Sequence, residues 1–146
     1  MTVTIEQFGW WHIPAALEIE HELFDIQPWS EAQFWSELAA GDRAMFAAIE
    51  GDELVGYADI AVGADESEIM SVGVREAHQG RGVGYSLLTA MLDASDAAGA
   101  KRVLLEAKTG NDKAIALYER NGFSIVGHRP NYYALGVDAV LMERHV

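Results

Sequence analysis

Apolar and polar residues alternate from Thr2 to Phe8, a period of two that predicts a short strand with one buried face. The period then lengthens. Pro14 suits a first helical turn, and Leu17, Ile19 and Leu23 supply the apolar positions of a helix from Ile13 to Phe24. Pro28-Trp29 interrupts the chain. Ser30, with Gln33 three residues on, forms a capping box, and Gly41 falls just past the end of the second helix this predicts. Three strand-like runs follow, Ala44 to Ile49, Leu54 to Val62 and Glu68 to Val74, separated by the turns Gly51-Asp52 and Ala64-Asp65; they read as an antiparallel meander. The pattern then becomes strand–helix: a helix from about Gly82 to Ala98 ended by Gly99, an apolar strand from Arg102 to Ala107, and a short helix from Asn111 to Arg120 closed by Asn121-Gly122. Phe123 to Gly127 and Asp138 to Met142 are the last strands. Antiparallel strands first and strand–helix units later predict a mixed α/β sheet with helices on both faces.

Composition narrows the function classes. The 146 residues suit one domain over 1–146. The chain has no cysteine, which excludes disulfides, thiolate zinc sites and cysteine nucleophiles and suits a reducing, cytoplasmic setting. Its apolar runs fall far short of about 18 residues, and no basic stretch leads into an apolar one at the N-terminus, so neither a membrane span nor a signal peptide is expected. The five histidines show no metal-ligand spacing, and no metal is expected; His78 is expected to face solvent. Charge is lopsided. Residues 1–68 carry fifteen carboxylates against one cation, Arg43, whereas residues 69–146 carry eight carboxylates and nine cations. A chain whose first half is −14 and whose second half is +1 offers no positive face for nucleic acid. A cationic partner for the first half and an anionic ligand for the second is the simplest expectation.

Candidate chemistry centres on a glycine loop. Gln79-Gly80-Arg81-Gly82-Val83-Gly84 follows a strand and opens a helix, so its glycines allow close backbone approach and the free N–H groups of the first turn point at an anion. Arg81 adds a cation. The combination predicts a pyrophosphate cradle. A Walker loop is excluded, because no glycine is followed by Lys and Ser/Thr at the required spacing. A dinucleotide fold remains a rival: Gly82 and Gly84 give its first two glycines and Glu106 mimics its ribose-binding acid. Against it, Leu87 holds the third glycine position and the preceding strand belongs to a meander.

The loop resembles the Gln/Arg-x-x-Gly-x-Gly/Ala loop of the GNAT acetyltransferases, and the resemblance extends through Pro28-Trp29-Ser30, Leu105-Glu106, Asn111 to Phe123, and Arg129 to Tyr133. Within that family, Pro-Trp-Ser early and Asn131-Tyr132-Tyr133 late are similar to the RimI-type ribosomal-protein-alanine N-acetyltransferases; the segment Phe24-Asp-Ile-Gln27 departs from the commonest pattern of the acceptor arm. The resemblance implies the GNAT fold, a mostly antiparallel sheet with one splayed parallel pair, and acetyl-CoA as co-substrate. It implies that Gln79, Gly80, Arg81, Gly82, Val83, Gly84 and Tyr85 hold the pyrophosphate. Val72, Gly73 and Val74 would meet the thioester and pantetheine arm, Gly73 being compatible either with a bulge or with a close-packed strand.

The reaction implied is attack of an amine on a thioester. An α-amine with pKa near 8 is partly neutral at pH 7, unlike a lysine at about 10.4, and needs only modest base assistance. Glu106 ends a strand that reads as buried on both faces, where desolvation favours proton uptake; a salt bridge to Lys101, Arg102 or Lys108 is the plainer alternative. The resemblance makes Glu106 the base, acting directly or through water, and Tyr118 the acid that protonates the departing thiolate, although Tyr118 also fits a core stripe with Ala114 and Ile115. Asn111 reads as a helix N-cap and, by resemblance, as a cofactor contact. Trp29, Tyr132 and Tyr133 are expected to line the acceptor groove, with Glu18, Glu20 and Glu22 facing basic residues of a peptide, first among them a ribosomal protein N-terminus. A small-amine acetyltransferase of the same fold and a non-enzymatic CoA- or nucleotide-binding module stay open.

Overall fold

A computed structural model describes residues 2–24 and 27–145. The N-terminal run forms strand β1 (Val3–Gln7), followed by helices α1 (Ile13–Leu23) and α2 (Glu31–Ala39). The capping box forms as read: Ser30 Oγ accepts the Gln33 N–H at 3.2 Å and Gln33 Oε1 accepts the Ser30 N–H at 2.9 Å. The meander is β2 (Arg43–Glu50), β3 (Glu53–Ala61) and β4 (Glu66–Val74). Helix α3 (Val83–Ala97), strand β5 (Arg102–Lys108), helix α4 (Asp112–Arg120) and strands β6 (Phe123–Ala134) and β7 (Val137–His145) complete the chain. Part of the departing arm, Asp25 and Ile26, lies outside the described residues.

Seven strands form one sheet in the order β1-β2-β3-β4-β5-β7-β6. Every neighbouring pair is antiparallel except β4 and β5. Strand β3 is buried from Leu54 to Ile60 because helices cover both of its faces. On one face Tyr57 and Ala47 meet Ile19 of α1 and Phe34 of α2. On the other Ala58, Ile60 and Val103 meet Leu87, Leu88 and Met91 of α3.

Strand β6 runs beyond the expected Gly127 through Pro130. Its ladder to β7 breaks between Arg129↔Ala139 and Ala134↔Val137, so the segment carrying Tyr132 and Tyr133 bulges out of register. Asn131, at φ 55, fixes that bulge: its N–H donates to Asp138 Oδ1 at 2.9 Å and its Oδ1 accepts the Gly136 N–H at 2.6 Å. Proline is tolerated there because the bulge asks for no ladder donor.

The feature that positions the site is the parallel pair. Only Glu66, Ser67 and Glu68 pair with Arg102, Val103 and Leu104; beyond them β4 and β5 part toward their C-terminal ends. Leu87, fully buried between α3 and the sheet, is central to the packing on that side. Leu87→Ala is expected to lower the unfolding free energy by about 2–5 kcal/mol, read as a lower midpoint in urea denaturation.

Candidate active site

Between the parted strands lies a cleft of about 800 Å³ lined from four stretches of the chain, within 20–37, 68–72, 105–118 and 132–133. Met70, Ser71 and Val72 of β4 form one wall and Leu105, Glu106 and Ala107 of β5 the other, with Trp29, Asn111, Tyr118, Tyr132 and Tyr133 closing it. Alternate residues of an antiparallel edge direct their N–H and C=O groups away from their partner. Past Glu68 the β5 side of β4 offers those groups no strand. The crevice lies where parallel strands diverge at their carboxyl ends, the position at which α/β sheets take ligands.

The glycine loop follows β4, whose Met70, Ser71 and Val72 form the wall of this cleft. Gly80 and Gly82 take φ values of 78° and 83°, and a Cβ on either would meet no atom within 4 Å, so the backbone faces open space. The first helical hydrogen bond of α3 runs from Ser86 N–H to Gly82 O at 3.0 Å, which leaves the amides of Val83, Gly84 and Tyr85 without a helical acceptor. Gln79 braces the loop by donating its Nε2 to Val74 O at 3.0 Å. Arg81 Nη1 lies 3.7 Å from Glu50 Oε2. His78 is not solvent-facing: its side chain keeps 13% of its surface and meets Glu50 Oε1 at 3.4 Å. The geometry fits the diphosphate end of a CoA thioester, with amides for the oxygens and Arg81 at the rim.

Gly73 is not bulged. It pairs in register with Tyr57, and a Cβ there would come within 3.2 Å of Ile19, Leu23 and Tyr57, so close packing of α1 on β4 explains the glycine. The bulge lies at Met70, between the pairs Asp59↔Ser71 and Ile60↔Ile69.

Glu106 is not buried on both faces. Along β5, Val103, Leu105 and Ala107 are buried in the core while Leu104 and Glu106 are only half-buried, and Glu106, beyond the last pair with β4, lines the cleft. Its Oε1 lies 3.5 Å from Arg129 Nη1, and none of the three cations named as its alternative partners takes that place. Arg129 stacks over the Tyr132 ring at 5.2 Å, and the Glu106 carboxylate holds the Tyr132 phenol above its usual value. Tyr133 is pushed up to about 12, by burial first and by Glu106 second. Tyr118 is both a core and a cleft residue: it is buried, stands edge-on to Phe123 at 5.7 Å, and its phenol is raised well above 10 by burial and by Tyr133. Asn111 stands at the N-cap of α4, but its side chain makes no capping bond and lines the cleft instead. Among the described residues no group of three or more acidic or histidine side chains converges as a metal site.

Two further acids emerge, Glu20, which charge counting placed wrongly, and Asp59, which the sequence did not single out. Glu20, expected to face a peptide, is 1% exposed; it lines the inner wall of the cleft and accepts the Tyr57 hydroxyl at 2.5 Å. The spacing Ile13, Ala16, Glu20 along one helical face was the signal that would have found it. Glu18 and Glu22 are drawn instead to Arg75, at 3.3 and 3.9 Å. Asp59 is fully buried on β3, with no N–H or O–H donor for either oxygen. It faces Glu37 of α2, whose Oε1 accepts Arg43 Nε at 2.6 Å. Burial, then the neighbouring Glu37 carboxylate, raises Asp59 to about 9.

The sequence profile described as the Acetyltransferase (GNAT) family matches residues 10–123. The N-alpha-acetyltransferase RimI of Mycobacterium tuberculosis is 43% identical over 133 residues, covering 87% of this chain and 82% of that protein. An uncharacterized protein of Mycobacterium leprae is 42% identical over 133 residues, and the matched stretch is 36% of its length, so this chain corresponds to about a third of that relative. Among solved structures, the ribosomal-protein-S18-alanine N-acetyltransferase from Escherichia coli superimposes with a TM-score of 0.90 at 30% identity over 99% of this chain and 94% of that one.

The Asp59 carboxyl yields a stability prediction whose sign is fixed. Unfolded, it titrates near 4; folded, near 9, so between these values the native state holds the extra proton and stability falls as pH rises through that window. Asp59→Asn, which keeps a donor toward Glu37, is expected to flatten that decline and to raise stability at pH 8 by ~1–3 kcal/mol, measured by denaturant titration from pH 5 to pH 9.

Proposed function

Because this chain belongs to the GNAT family of acetyltransferases, we propose that it transfers acetyl from acetyl-CoA to the α-amine of a protein N-terminus, an N-terminal alanine of a ribosomal protein first among them. One observation carries the reading: Glu106 and Tyr118 line one cleft along the uncovered edge of β4, and β4 leads on into the glycine loop and the free amides at the start of α3. The relatives named for RimI-type activity support the substrate class. So does the charge of the cleft, whose lining holds four glutamates and one lysine and therefore favours a cationic amine. The setting proposed is the cytoplasm, where ribosomal proteins are made.

In this reading the α3 amides and Arg81 anchor the diphosphate, and the β4 edge from Val72 to Val74 takes the pantetheine arm and donates to the thioester oxygen as charge develops there. The amine nitrogen attacks the carbonyl carbon, and Glu106, directly or through a water, receives the proton that nitrogen loses. As the carbon–sulfur bond breaks, Tyr118 gives its phenolic proton to sulfur. Burial and Tyr133 raise its pKa further above the ordinary phenol value, so the phenol keeps that proton until the thiolate takes it. Trp29, Tyr132 and Tyr133 enclose the first residue of the peptide, and Arg129 holds Glu106 and Tyr132 in place.

A panel of free-amine peptides beginning with Ala or Ser, set beside polyamines and aminoglycosides, tests the substrate class; mass spectrometry is expected to find acetyl on the peptide α-nitrogen, and preference for the small amines or for lysine side chains would contradict it. Glu106→Gln and Tyr118→Phe are each expected to lower kcat by about 10²-fold or more while acetyl-CoA binding, read by calorimetry, stays unchanged.

A further inference from the structure

The acceptor wall of the cleft contains a hydrogen-bond chain whose direction is fixed by one carboxylate. Tyr57 has a single hydroxyl proton, and its oxygen lies 2.5 Å from Glu20 Oε1 and 2.9 Å from Ser71 Oγ. Glu20, 1% exposed, also accepts the backbone N–H of Trp29. With Glu20 ionised, the Tyr57 proton belongs to the carboxylate, so the Ser71 contact must run the other way, from Ser71 to Tyr57. Ser71 has then given its only proton inward, and what its hydroxyl has left for the cleft it lines is lone pairs. The bulge at Met70 sets Ser71 on this face, on the β4 edge that β5 has left.

We propose that Ser71 Oγ is the hydrogen-bond acceptor for the N–H groups of the incoming α-amine, and that Glu20, acting through Tyr57, is the positioning residue that gives Ser71 this polarity. The proposal rests on the amine-acceptor reading above and extends it to the atom that recognises the amine. A primary amine satisfies such a site, whereas an acetylated or otherwise blocked N-terminus leaves it unmet. When Glu20 takes up a proton the chain can reverse: the carboxyl donates to Tyr57, Tyr57 to Ser71, and Ser71 turns its O–H toward the cleft, against the ammonium.

Burial, opposed by the bonds from Tyr57 and Trp29, raises Glu20 to about 7, so the reversal falls near neutrality. The other titratable groups around it are Tyr57 and Asp59 on β3, Glu37 on α2 beyond Asp59, Glu68 on β4, Glu106 and Lys108 across the cleft on β5, and Tyr118, Tyr132 and Tyr133 on the cleft's far side. Arg75, which follows β4, is held by Glu18, Glu22 and Glu53.

The test follows the Glu20 carboxyl directly by ¹³C NMR in the full chain with CoA bound. An Ala-starting peptide is expected to lower the Glu20 midpoint by about one pH unit in the wild type, because an ammonium beside Ser71 favours the ionised end of the chain. The N-acetylated form of the same peptide is expected to leave it unmoved, and Ser71→Ala to abolish the shift. In turnover, Ser71→Ala is expected to raise the peptide KM about five- to tenfold with the acetyl-CoA KM unchanged, and Ser71→Thr, which keeps the hydroxyl, to restore it. An equal midpoint shift in Ser71→Ala, or an unchanged peptide KM in that variant, overturns the proposal. If the substrate panel selects a small amine over peptides, the same titration with that amine still decides the role of Ser71, so the two readings fail separately.

Discussion

The parting of β4 from β5 is the constraint on which the rest of the molecule depends. Three residue pairs hold the two strands together, after which each gives up the ladder it would otherwise make with the other. Backbone N–H and C=O groups do not stay unpaired cheaply, and a sheet opened at its centre survives only if something meets them. Helix α3 packs on the β1-β2-β3-β4 flank, and the apolar cluster it builds there with Leu87, Leu88 and Met91 continues to Val103 and Leu105 of β5 and Val140 and Met142 of β7. The opened edge is then free to accept a ligand with amides of its own, in the manner of an added strand. On the proposed function that ligand is the pantetheine arm of acetyl-CoA, and the same parting uncovers Glu106.

Electrostatics follow the same division. The acidic first half is not a uniform negative surface, since much of it is matched by cations of the second half. Arg75 gathers Glu18, Glu22 and Glu53, and Glu22 also accepts the Glu76 N–H at 2.7 Å. Glu50 meets both His78 and Arg81 and so ties the glycine loop to the end of β2. The one cation of the first half, Arg43, is used inside it, donating to Glu37 beside the buried Asp59. The cleft itself stays acidic, lined by Glu20, Glu37, Glu68 and Glu106 against Lys108.

Local chemistry carried most of the fold into the sequence. The capping box at Ser30 and Gln33, the strand period of β1 and the glycine that ends α3 all act within a few residues, and each formed as read. The splayed pair came from family resemblance, because nothing within β4 or β5 alone states where they separate. Of the two grounds on which Glu106 was singled out, resemblance and a strand buried on both faces, the second does not hold: its strand is covered on one face only. Glu20 was missed because three glutamates at alternate positions read as a charged face, when helical spacing puts the middle one inside. The bulge that turns Tyr132 and Tyr133 toward the cleft depends on Asp138, across the hairpin, and on a positive φ at Asn131; neither is visible from the segment itself.

The most direct measurement is backbone amide hydrogen exchange with and without acetyl-CoA. The account predicts slowed exchange at two places together, the β4 edge around Val72 and Val74 and the first turn of α3 at Val83, Gly84 and Tyr85, with β1 and β2 unchanged. Protection at only one of them, or at a different surface altogether, would contradict a cleft built from the parting of β4 and β5.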